Sequence, residues 1–544
     1  MILSCFLTEI ASMSVRTERT SHPERRRTAQ CGDERSAAPK ERHSAVCGLL
    51  HLLGLGLILT AQTAQAHVGS PDVYAEGQAG PYKLSVVIRP PLVIPGVADI
   101  EVRAQNPGID RITVTPVPLT GEAAKHPPVA DAMDHLSADA NFFTAHLWIM
   151  ATGSWQIRFA VSGSEGRGVL SIPFPATAMS TRKMQPELGL LLAILGGLLV
   201  LGMVGIVGAA TREARLPPGE AVSPAGRQRA YVAMSVTFAV LVAAIILGNA
   251  WWKSEAANYS QYIYKPLVMQ SSLRAGNVLD LELRDPGWLQ MRKLDDFIPD
   301  HDHLMHLYMI RWPQMDLVFH LHPEPVATGE FQLPLPSVPA GTYRLYADVV
   351  HAAGFPETIV GTVTLPDVAG RPLEGDDAEG TDSADAKISS APAENTRRQF
   401  KLPDGYSMVW KGPSRLAPKE PEDFEFELLD PQGHPPADMA LYMGMLGHAA
   451  FVKTDGTVFA HIHPTGTVAM AAFMMANPLA SAAAGNHAGM SMPGMEMDHG
   501  SLPNTVSFPY GFPSGGQYRI FVQMKHGGTI ETGVFHADVP GSAK

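Results

Sequence analysis

The sequence predicts a mainly β protein, with three Ig-like β-sandwich domains and two transmembrane helices. Three observations lead there. Short alternating apolar runs, punctuated by Pro and Gly, recur through most of the 544 residues. Two uncharged apolar runs of membrane-crossing length interrupt them. The C-terminal half then states one pattern twice. His306, His320-Leu321-His322-Pro323, Gly341-Thr342-Tyr343-Arg344 and His351 are answered by His448, His461-Ile462-His463-Pro464, Gly516-Gln517-Tyr518-Arg519 and His526.

Residues 1–66 read as a presequence. The apolar stretch 48–60 follows Lys40 and Arg42 and ends at Ala64-Gln65-Ala66, a small-x-small site suited to signal peptidase. Cleavage there would make His67 the first mature residue. All three cysteines, Cys5, Cys31 and Cys47, precede it, so the remainder has neither disulfides nor thiolate ligands to offer.

Residues 67–187 form the first expected sandwich, with strands at 82–88, 99–104, 111–117 and 155–161. His67-Val68-Gly69-Ser70-Pro71, the following AGPYKLSVVIRPP and the later GSWQIRFAV resemble the YtkA/FixH-like and CopC-like family of exported, copper-associated Ig-fold proteins over about residues 67–175. That resemblance implies a copper role for His67 as an N-terminal amine-plus-imidazole ligand. The family's second His-containing motif has no clear counterpart here. His126, His135 and His146 are available as a second imidazole.

The runs 188–210 and 230–250 are each about the ~20 residues that cross a bilayer. Arg212, Arg215, Arg227 and Arg229 in the intervening segment, 211–229, mark it as cytoplasmic by the positive-inside rule. The protein is therefore expected in the inner membrane, with two spans and its main domains periplasmic. Trp251 and Trp252 stand where an interfacial aromatic belt belongs.

Residues 251–367 and 399–544 are the two His-rich repeats, and the polar stretch 368–398 reads as a disordered linker. In a strand, residues i and i+2 share a face, so His320 projects with His322, and His461 with His463. With His306 and His351, or His448 and His526, each repeat could converge four imidazoles on a metal. His301 and His303 add donors in the first copy, and Met443 and Met445 add thioethers in the second. Imidazole alone suits copper and zinc equally. The insertion 471–505 tilts the expectation to copper, because His487, Met490, Met492, Met495, Met497 and His499 interleave thioethers with imidazoles, without cysteine. It resembles the Met/His-rich loops of bacterial copper-handling proteins.

A formal net charge of −12 and the lack of a basic patch point away from nucleic acid. No G-x-S-x-G, H-E-x-x-H or phosphate-cradling motif is present. The expected role is copper binding, for delivery or resistance, alongside a membrane transporter or oxidase-assembly partner. A metal-free scaffold subunit and a copper-dependent oxidoreductase are the alternatives.

Overall fold

The computed structural model describes residues 71–136, 138–181, 184–288, 292–382, 398–413, 415–478 and 502–541. They form a mainly β protein with antiparallel sheets and two long apolar helices. His67 and the Met/His core from His487 to His499 lie outside the described residues.

The helices, α1 (Pro186–Glu213) and α2 (Pro224–Ser260), are long and apolar enough to cross a membrane. Leu191, Leu199, Leu201, Ile206 and Leu247 all expose their side chains, as lipid-facing positions would. Gly208 permits close approach of the two, since a Cβ there would meet the Met234 sulfur at 2.6 Å.

Residues 71–181 fold as a sandwich. One sheet runs Val73–Ala79, Tyr82–Arg89, Gly96–Ala104, Phe142–Ile149 and Asp134–His135. The other runs Asp131–Ala132, Ile109–Pro118, Gly153–Gly163 and Gly166–Ala176. Alternation supplies the core: Tyr82, Leu84, Val86 and Ile88 point inward, against Ile100, Phe159 and Ile172.

The two repeats share a common topology, to which the first adds Glu324–Ala327 and Ala378–Thr381 and the second adds Gln399–Lys401. In the first, Val268–Arg274, Val278–Arg284, Glu330–Pro334 and Glu324–Ala327 make one sheet. The other orders Phe297–Ile298, Gly341–His351, His306–Arg311, Leu317–Leu321 and Ala378–Thr381, with Pro356–Leu365 also on Gly341–His351. In the second, Gln399–Lys401, Ser407–Trp410, Glu422–Leu429 and Thr505–Tyr510 face a sheet of Met439–Ala440, Gly516–His526, His448–Lys453 and Phe459–Ile462, with Thr529–Val539 on Gly516–His526.

One expectation needs correction, and two local features are new. The segment 368–398 is not linker throughout. Ala378–Thr381 pairs with Leu317–Leu321, and Asp382 takes the guanidinium of Arg519 from the second repeat. The strand Met439–Ala440 is followed by a two-residue turn at Met443 and Gly444, both of which have positive φ. The insertion begins in a helix, α3 (Met470–Ala476), whose Met470 and Phe473 pack into the core of the first sandwich. Asn477 then exchanges two hydrogen bonds with Ser171, of 2.9 and 2.8 Å.

Each repeat lays its second sheet against the other. Tyr346 stacks on Phe459 with ring centroids 4.3 Å apart, and Tyr308 meets Phe459 at 5.4 Å. Burying one such aromatic from water contributes about 2 kcal/mol. Inside the first repeat, Leu307, Met309, Phe319, Leu321, Leu345 and Ala347 fill its own core, so the alternate residues of those strands must face the partner repeat. Those alternates include His306 and His320.

Candidate metal centre

The two histidine sets meet as one cluster across this interface. Its contacts are reciprocal. His306 faces His461 at 5.5 Å between ring centroids, and its counterpart His448 faces His320 at 6.3 Å. His320 and His461, themselves counterparts, lie 5.6 Å apart. That is the pattern of an isologous contact, here made within one chain.

The loops complete it. In the first repeat Asp300–His303 closes a turn with positive φ at His301 and Asp302; in the second, Tyr442–Met445 does the same at Met443 and Gly444. Met443 thus holds the position of His301, and Met445 that of His303. The two turns touch: His301 donates its Nδ1–H to the carbonyl of Met443 at 2.8 Å. Its ring reaches the second repeat's pair, 5.1 Å from His448 and 4.9 Å from His463. His303 stays on its own side, stacked on His322 at 3.8 Å.

Two buried triads result, His301/His448/His463 and His306/His320/His322, each with its ligand atoms within 4.8 Å of one another. His461 sits between them. Met445 is buried with Val468, Met470 and Phe473 in the first sandwich's core, and serves as packing.

Proton positions follow from the partners, because a carbonyl or carboxylate oxygen can only accept. His322 donates Nδ1–H to Asp377 (3.0 Å), and His463 to the carbonyl of Val468 (3.3 Å). The Nδ1 of His461 stands 3.3 Å from Asp348 Oδ2. His320 donates Nδ1–H to Gln523 Oε1 at 2.8 Å; the Gln523 amide is oriented by its own donation to Thr532. Each then carries a bare Nε2, and those of His301, His322, His461 and His463 are buried with no hydrogen bond. His306 is the mirror case, donating Nε2–H to the carbonyl of Asp300 at 2.9 Å and leaving Nδ1 bare. Neither nitrogen of His448 is hydrogen-bonded.

Burial holds His306, His320, His448 and His463 well below the usual histidine range, and neighbouring imidazoles push the same way. His301 and His322 are lowered too, again first by burial. His301, His306, His320, His322 and His463 are thus neutral rings whose outer nitrogens are held by oxygens and whose inner lone pairs converge. Metal-ligating histidines are oriented in this way.

His351 and His526 do not join it. The strand register sets Asp348 opposite His306 and Gln523 opposite His448. The last histidine lies three residues further on, hence on the opposite face of the sheet. The sequence reading also missed Asp348, Asp377 and Gln523 as supports. Their signal was present, since each falls on the face or loop that the paired histidines occupy.

Residues 400–541, the second repeat, match a family model described as a domain of unknown function (DUF8832). No curated protein matches the chain. Among solved structures, a tetra-tandem repeat from the extending region of a large adhesion protein aligns at 7% identity over 82% of this chain and 71% of its own, with a TM-score of 0.15. A 1.5-MDa bacterial ice-binding adhesin aligns at 6% identity over 85% and 98%, with a TM-score of 0.14. The dimeric latent PorU of Porphyromonas gingivalis aligns at 8% over 87% and 34%, with a TM-score of 0.13. Scores of this size do not imply a shared fold, and nothing about function follows from them.

Proposed function

We propose that this is a membrane-tethered metal-binding protein that holds copper in the imidazole cluster between its two repeats, with room for one ion in each triad. The observation that supports this most is the convergence of bare nitrogens. A buried polar group left without a partner costs about 1–3 kcal/mol. Several such atoms aimed at one another are a poor way to stabilise an interface, whereas a cation satisfies all of them. All-imidazole coordination without thiolate suits copper, and zinc is the alternative. The copper-associated resemblance of the first domain and the Met/His segment that follows α3 favour copper. On this reading the segment collects Cu(I) and the cluster stores it. The large domains face the periplasm of an inner-membrane protein, beside a transporter or oxidase-assembly partner.

The full chain in detergent, loaded with copper and then dialysed, is expected to keep about two ions, one per triad. The paired substitutions His306→Ala/His320→Ala and His448→Ala/His463→Ala should each remove one. A chain that retains neither copper nor zinc rejects the proposal.

The tandem-sandwich architecture supports a second reading, a metal-free scaffold whose histidines only order the interface. It predicts unchanged folding and partner capture in a His461→Ala/His463→Ala variant. Turnover that vanishes with the metal would add an oxidoreductase role.

A further inference from the structure

The displaced histidines, His351 and His526, form a second pair of equivalent sites, and the two repeats have solved them differently. Phe297 lies opposite His351 as Met439 lies opposite His526, so Asp296 and Asp438 correspond. Glu357 lies opposite Val349 as Glu531 lies opposite Met524, so these correspond as well.

In the first repeat the set is closed. His351 Nδ1 donates to Asp296 at 2.6 Å, and Nε2 stands 3.2 Å from Glu357 Oε2. Arg292, its side chain 4% exposed, places Nη1 2.6 Å from the other oxygen of Glu357. A buried guanidinium thus balances the buried carboxylate.

In the second repeat the same contacts are loose. Asp438 is 3.6 Å from His526 Nδ1, and Glu531 is 3.4 Å from Nε2. His526 is only 7% exposed, yet its Nδ1 has no hydrogen bond. Where the first repeat brings a guanidinium, the second brings another carboxylate: Asp404, from the turn before Ser407–Trp410, lies 3.9 Å from Nε2. Among the described residues no lysine or arginine pairs with Asp404, Asp438 or Glu531. Ligand atoms of Asp404, His526 and Glu531 lie within 4.8 Å of one another, and Tyr406 fixes the imidazole by stacking at 4.1 Å. Burial, and then the charge of Asp404, raise the Glu531 carboxyl to about 7.

We propose that Asp404, Glu531 and Nε2 of His526 bind a divalent cation in the place that Arg292 fills in the first repeat, with Asp438 orienting the ring through Nδ1. Two carboxylates and one imidazole suit Mn2+ or Zn2+ and disfavour Cu(I). Asp404, its side chain 39% exposed, opens the site to solvent. This site is separate from the imidazole cluster and does not depend on it.

The test titrates Mn2+ into the full chain in detergent and follows unbound Mn2+ by electron paramagnetic resonance. One ion per chain is expected. Asp404→Asn and Glu531→Gln should each weaken it by about tenfold or more. Asp404→Arg, which restores a guanidinium, should abolish it while the near-ultraviolet circular dichroism stays native. The His306→Ala/His448→Ala variant should bind Mn2+ unchanged, which separates this outcome from failure of the cluster. Absence of Mn2+ and Zn2+ binding, or binding indifferent to Asp404 and Glu531, overturns the proposal; a proton shared by the two carboxyls would then balance the charge.

Discussion

The Nδ1 of His306 and the Nε2 of His320 lie 3.2 Å apart, and the tautomers that Asp300 and Gln523 select place no proton between them. Each ring has already committed its one proton to an oxygen on its far side. Two lone pairs at this distance repel, unless something positive sits against both. Two nitrogens bonded to one tetrahedral ion at about 2.0 Å are separated by roughly 3.3 Å.

Removing either partner should therefore cost metal more than fold. His320→Ala is expected to lower copper content from about two ions to one, with the circular dichroism spectrum preserved. Metal analysis after dialysis checks it.

The outer oxygens should matter nearly as much. Asp377→Asn frees His322 to turn, and Asp348→Asn does the same for His461. Losing such an orienting partner typically weakens a metal site about 10- to 100-fold. Competition against a chelator of known affinity would show it; unchanged affinity in both variants would mean that the rings are fixed by packing alone.

Metal-free protein should be acid-labile. His306, His320, His448 and His463 sit below their ordinary value of 6.5 in the folded state, so protons bind the unfolded chain first as pH falls. The stability they contribute is present above pH 6.5 and is lost below it. Urea midpoints should drop steeply between pH 7 and pH 5, and much less in the copper-loaded protein. His351 runs the other way. Burial lowers its pKa, but hydrogen bonds with Glu357 and Asp296 outweigh that and raise it, so its contribution fades as pH rises through the folded value.

His351→Ala should leave copper content untouched and still cost about 1–3 kcal/mol, because it removes the imidazole between Asp296 and Glu357 and leaves Arg292 as the remaining charged partner of the buried Glu357. Denaturant unfolding beside metal analysis separates the two effects.

Glu531→Gln should stabilise the cation-free protein at pH 8 and do little at pH 5. A carboxyl raised to about 7 favours the folded state only while protonated. The gain is on the order of 1 kcal/mol once partial solvent exposure is allowed for. Thermal unfolding at the two pH values gives the comparison.

Much of this was legible in the sequence. Alternation gave the strands, the uncharged runs gave both helices, and the H-x-H-P pairs gave four of the clustered imidazoles, with His306 and His448 beside them. What misled was spacing without parity. His351 and His526 are equally spaced because the repeats share a hairpin, and that equality carries no information about which face they occupy. His301 was expected as a donor to its own repeat, and the side it serves was hidden for another reason. Its place in the opposite repeat's triad depends on a left-handed turn meeting its counterpart across the interface, and no property of a single repeat reveals that meeting.

The interface that joins the triads is formed by two domains on one chain, with only residues 383–397 between the last described residue of one and the first of the next. Docking is then an intramolecular encounter at an effective concentration that a short tether can raise to about the millimolar range. On the proposed reading, the centre would form even in dilute solution, where a homodimer's would not. Since His301 belongs to one domain and its triad partners to the other, undocking would dismantle a binding site without unfolding either sandwich.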